Sequence, residues 1–61
     1  MKINELTRRL HKAGCFVVRN GGDHDIWYSP ITGKQRPVPR HGTQEVPKGL
    51  LRKLEKVLLG L

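Results

Sequence analysis

Cysteine, aromatic residues and acids are all scarce in this chain: Cys15 stands alone, Phe16, Trp27 and Tyr28 are the aromatics, and five Asp and Glu occur among 61 residues. A single cysteine excludes an internal disulfide. Zinc lacks its usual ligand spacings too, because there is no Cys-x-x-Cys or His-x-x-x-His pair and Gly14 stands as a helix stop between His11 and Cys15. No metal and no other cofactor is expected. No apolar stretch resembles a signal peptide or a membrane span, which makes the cytoplasm the default location, and no membrane partner is expected. Repeats and low-complexity segments are missing as well. A single domain, residues 1–61, is expected, and a chain this short buries only about 60% of its unfolded surface.

Positive charge is what the chain has in excess. Twelve Lys and Arg give a net charge of +7, which points to an anionic partner such as nucleic acid, an acidic protein or lipid headgroups. Ile3, Leu6, Leu10 and Ala13 recur in steps of three and four and predict a helix that Gly14 ends. Cys15 to Arg19 reads as a strand, and Asn20-Gly21-Gly22-Asp23 as the turn of a hairpin. The returning strand, His24 to Ser29, puts His24, Ile26 and Tyr28 on one face and Asp25, Trp27 and Ser29 on the other; the Ile26 face is expected to meet the helices. After the turn Ser29-Pro30-Ile31-Thr32-Gly33, a third strand runs from Lys34 to Val38. Pro37 and Pro39 place it at a sheet edge, and Arg40-His41-Gly42 form its exit. Leu50, Leu51, Leu54, Val57, Leu58 and Leu61 make the seam of a last helix, with Pro47 in its first turn and Gly60 as its stop. The expected fold is α+β in the order α-β-β-β-α, a three-stranded antiparallel sheet with two helices on one face.

Within this frame Gly21-Gly22-Asp23-His24 is the most informative run. An imidazole, with a reference pKa of about 6.5, exchanges protons near neutrality, and glycine permits positive φ and close approach of a bulky ligand. The plainer reading is that Gly-Gly between two apolar runs is an ordinary hairpin turn followed by a tolerated polar residue.

The run Gly22-Asp23-His24-Asp25-Ile26-Trp27, the turn at Thr32-Gly33, the exit Val38-Pro39-Arg40-His41-Gly42 and the closing Pro47-Lys48-Gly49-Leu50-Leu51-Arg52 together resemble the HicA family of bacterial toxins. The likeness covers nearly the whole chain in order and spacing. It implies a fold similar to double-stranded-RNA-binding domains, an endoribonuclease acting on mRNA as its substrate, His24 as the catalytic histidine, and a cognate HicB antitoxin that masks the site. DNA would be contacted only through the antitoxin complex. Where the family usually reads Gly-Ser-His this chain has Gly22-Asp23-His24, and a carboxylate there repels phosphate.

RNA cleavage without a metal needs a base for the 2′-hydroxyl proton, an acid for the leaving oxygen, and positive charge around phosphorus. His24 serves one proton, with Asp23 better placed in the turn than Asp25 to orient its ring. His41 is a candidate for the second proton or a further RNA contact, against the plainer reading of an exposed loop histidine. Arg19, Lys34, Arg36, Arg40 and Lys48 lie at strand ends, glycine turns and the start of the last helix, where they can line one phosphate-positioning surface together with Gly22. Arg36 and Arg40 are the first choices for transition-state charge, and Lys48 stands at a helix N-terminus that favours phosphate. Trp27 is a candidate to stack on an unpaired base, or else packs across strands or against the antitoxin. Phe16 and Tyr28 read as packing residues. The competing function is a double-stranded-RNA-binding module without catalysis.

Overall fold

Ile3, Leu6 and Leu10 sit three and four residues apart, and in the computed structural model, which describes residues 1–61, they form the buried stripe of α1 (Ile3–Lys12). Gly14, at φ 94°, ends it: the Gly14 N–H bonds the His11 carbonyl and the Cys15 N–H bonds the Leu10 carbonyl, each at 3.0 Å. This closure requires the left-handed conformation that glycine adopts without penalty, and it seats Cys15 beside Leu10 in the core. The other end of α1 is closed by carbonyls from far along the chain. Ile3 N–H donates to Gln44 O at 2.9 Å and Asn4 N–H to Gly42 O at 3.0 Å, so the loop after the third strand is tied down by donors that a helix N-terminus leaves free.

Strands β1 (Phe16–Asn20), β2 (His24–Tyr28) and β3 (Gln35–Pro39) form an antiparallel sheet in the order β1-β2-β3, and α2 (Lys48–Leu58) completes the chain. The first and third strands begin one residue later than their apolar runs suggest. Cys15 is engaged in closing α1, and the Lys34 carbonyl closes the preceding turn by accepting from Ser29 N–H at 2.9 Å. Pro37 and Pro39 lie two apart on the edge strand, so their missing donors fall on the same, unpaired side. Leu6 and Leu10 of α1, Leu54 and Leu58 of α2 and Val38 of β3 share one buried cluster, against which Trp27 packs. Both helices therefore cover the same face of the sheet.

That face is the opposite of the one the alternation in β2 suggests. Ser29 is fully buried and Trp27 lies against the core, whereas His24 is exposed and Ile26 and Tyr28 are only half-buried. The reason lies in the last turn of α2, whose carbonyls have no partner within the helix. Ser29 Oγ donates to the Leu58 carbonyl, Thr32 Oγ1 donates to the Val57 carbonyl, and Ser29 Oγ in turn accepts from Ile31 N–H at 3.2 Å. A hydroxyl is thus placed on the core side to satisfy a helix end, and the whole strand follows its parity. Ser29→Ala leaves Leu58 O with only the Cys15 thiol at 3.6 Å. It should destabilise the fold by about 1–3 kcal/mol; a denaturant midpoint equal to the parent's would remove the hydroxyl from this role.

Candidate functional site

Gly21, Gly22 and Asp23 join β1 to β2 and present His24 at the strand's first position. Gly21 N–H donates to His24 O at 2.8 Å, and a Cβ on Gly21 would stand 2.6 Å from that same carbonyl oxygen. Glycine is required at 21 by this close approach. Positive φ, which the Gly-Gly pair suggests, is not used here; it occurs at Gly14, Gly33 and Gly60 instead. Gly22 faces open space, so a ligand can come against its backbone.

Arg40 staples the hairpin. Its Nη2 reaches both the Gly21 carbonyl and Asp25 Oδ1 at 2.6 Å, and its Nε donates to Asp25 Oδ1 at 3.2 Å. Its own backbone N–H donates to Asp23 O at 3.1 Å. The hydrogen bonds that Arg40 donates to Asp25, reinforced by that carboxylate's charge, raise Arg40 above the ordinary guanidinium value. Asp25 is thereby engaged on the helix side of β2, and neither it nor Asp23 hydrogen-bonds the His24 ring. His24 stands exposed on the open face, opposite Pro39 of β3.

A β-bulge decides where Arg19 points. Val17 pairs with Trp27 but Arg19 pairs with Ile26, leaving Val18 as the extra residue. Without it Arg19 would share the face of Val17 and Trp27; with it, Arg19 joins Ile26 and His24 on the open face. The same register separates Arg36, which lies across from Trp27 on the helix side with its Nε buried and unpartnered. The sheet thus stands between Arg36 and the imidazole. Lys34 precedes β3 opposite Ser29, roughly 16 Å or more from His24 by strand rise. His41 is exposed in the loop anchored on α1, its carbonyl accepting from Gln44 N–H at 3.1 Å. Lys48 opens α2, where Pro47 supplies no side-chain cap and the first turn holds no acid.

Sequence-predicted residues are therefore brought together in part. Gly22 and His24 lie at the hairpin end, which Arg40 holds from the helix side through Asp25 and the Gly21 carbonyl, with Arg19 on the same open face as His24; Arg36 and Lys34 are set apart. Trp27 packs against the core and is not free to stack on a base, whereas Phe16 and Tyr28 lie on the open face with ring centroids 5.4 Å apart. No residue-level signal marked that exchange, because it depends on the inverted parity of β2. No group of three or more His, Cys, Asp or Glu side chains is gathered anywhere. The surface concavity that exists is lined by Met1, Glu5, Arg8, Arg9 and Lys12 on and beside α1, so the hairpin end is an open surface. Charge is distributed unevenly: α1 and α2 carry seven basic residues against Glu5 and Glu55, which places five of the seven net charges in the helix layer.

Among protein families, the model described as "HicA toxin of bacterial toxin-antitoxin" matches residues 3–58. No curated protein and no solved structure matches the chain.

Proposed function

The chain belongs to the HicA toxin family, and on that premise we propose that it is a metal-independent endoribonuclease that cleaves mRNA in the cytoplasm and is held inactive by a HicB-type antitoxin. In this reading the ribose 2′-oxygen bonds to phosphorus as the bond to the 5′-oxygen breaks, giving a 2′,3′-cyclic phosphate and a 5′-hydroxyl end. His24 carries one of the two protons, from the 2′-hydroxyl or to the leaving oxygen. The observation that carries the proposal is the exposed, unpaired imidazole of His24 beside a turn shaped by Gly21 and held by Arg40. Arg19 supplies positive charge on that same face, and Arg40 fixes the turn from the helix side through Asp25 and the Gly21 carbonyl. Lys48, at the uncapped start of α2, and Gly22, with open space at its backbone, position flanking phosphates. Lys34 and Arg36 contact RNA beyond the cleaved bond, and His41 is the candidate for the second proton.

Incubation with end-labelled single-stranded RNA and with DNA of the same sequence tests the reading. RNA should be cut to cyclic-phosphate ends and DNA left intact, because DNA has no 2′-nucleophile. Cleavage should persist at its full rate in EDTA, and loss of activity there would move the mechanism to metal-assisted hydrolysis.

The concentration of charge on the helices favours a second reading, a non-catalytic module that grips duplex RNA by shape. Intact RNA after prolonged incubation, with tight duplex binding, would select it.

A further inference from the structure

Strand register places Phe16, Tyr28 and Gln35 in one row across the open face, Arg19, Ile26 and Pro37 in the next, and His24 with Pro39 in the last. Phe16 is 49% exposed, and its ring meets that of Tyr28 at 52°. The core on the other side of the sheet is filled by aliphatic residues, Cys15 and Trp27, so these two rings are not needed to close it. No acid lies in these rows: Asp25 turns to the helix side to meet Arg40, and Asp23 belongs to the turn. The charge present is Arg19, in the middle row. Aromatic rings on an open face, joined to unopposed positive charge, complement unpaired bases and the phosphates that link them.

We propose that Phe16 and Tyr28 form a base-stacking subsite for single-stranded RNA, with Arg19 taking the phosphate between the stacked base and the bond cleaved at His24. The position of that bond rests on the nuclease reading above; the stacking does not. Tyr28 and His24 are four residues apart on β2, roughly 13 Å by strand rise, so the stacked base belongs to a neighbouring nucleotide and the subsite governs affinity. The rows run continuously from the rings to the imidazole, as an elongated polyanion requires. The bulge at Val18 is what brings Arg19 into line between them.

The test is equilibrium binding of a 2′-O-methyl single-stranded oligoribonucleotide, which cannot be cleaved, to the parent, Phe16→Leu and Tyr28→Leu at several salt concentrations. Leucine keeps apolar packing and removes the ring. Each variant should bind about 5- to 150-fold more weakly, the range known for loss of one base–aromatic stack, with the parent's salt slope and melting temperature. Phe16→Trp and Tyr28→Phe, which keep a ring, should bind like the parent; weakened binding by both would overturn the proposal even if the leucine variants proved unstable. Parent-like RNA binding by the leucine variants would also overturn it. If that came with weakened capture of the antitoxin, the face would be assigned to the antitoxin instead. A parent that binds this oligonucleotide but leaves unmodified RNA intact would refute the nuclease reading and leave the stacking subsite standing.

Discussion

Replacing His24 by alanine should lower the rate of RNA cleavage by about a hundred- to ten-thousandfold, the usual contribution of one positioned acid or base. The side chain is exposed and hydrogen-bonds neither neighbouring carboxylate. What holds the hairpin is the backbone: the His24 carbonyl accepts from Gly21 N–H, and Arg40 binds the Gly21 carbonyl and Asp25. Truncation beyond Cβ disturbs none of these bonds, so stability should change by no more than about 0.5 kcal/mol. Rates measured under single-turnover conditions, alongside matched thermal melts, distinguish lost chemistry from lost structure. A variant that cleaves like the parent would reduce His24 to a turn residue and shift attention to His41.

The largest stability effect should come from Leu54→Ala. Leu54 is fully buried where α2 meets α1 and β3, in the cluster of Leu6, Leu10, Val38 and Leu58. Leucine-to-alanine changes at such positions cost about 2–5 kcal/mol, through lost burial and the cavity left behind. A single small core rarely provides more than about 3–5 kcal/mol of net stability, so the variant should be largely unfolded at 25 °C. Circular dichroism with urea titration reads this directly. Lys53→Ala, one residue earlier and exposed, is the matched control and should stay within about 0.5 kcal/mol of the parent. Equal midpoints for the two variants would mean that α2 is not packed as described.

Much of the architecture is legible in the residue pattern. The spacing of Ile3, Leu6 and Leu10, the stop at Gly14, the paired prolines of β3 and the seam of α2 through Leu54 and Leu58 each act through local geometry and appear where that geometry puts them, whereas Leu61, expected in the same seam, lies beyond the end of α2 and is exposed. The hairpin was legible too, although the reason for its glycine was not: Gly21 is dictated by the His24 carbonyl 2.6 Å from where its Cβ would be. Less legible were the partners of the charged groups. Asp25 and Arg40 are fifteen residues apart and meet only because β2 and β3 pair in one register. Glu55 finds Arg9 across the helix pair at 2.7 Å for the same kind of reason.

By itself the sequence determined the order of elements, the buried stripe of each helix, the net charge of +7 and the likeness to one toxin family. These depend on side-chain periodicity and composition, which are properties of neighbouring residues. Tertiary structure alone decided which face of the sheet meets the helices, that Trp27 is packed while Phe16 and Tyr28 are open, and that Arg19 joins His24 while Arg36 does not. Those outcomes follow from the carbonyls of α2, which draw Ser29 inward, and from one extra residue at Val18, which resets the parity of β1. Both constraints join groups distant in the chain, and alternation within a five-residue strand contains no record of either.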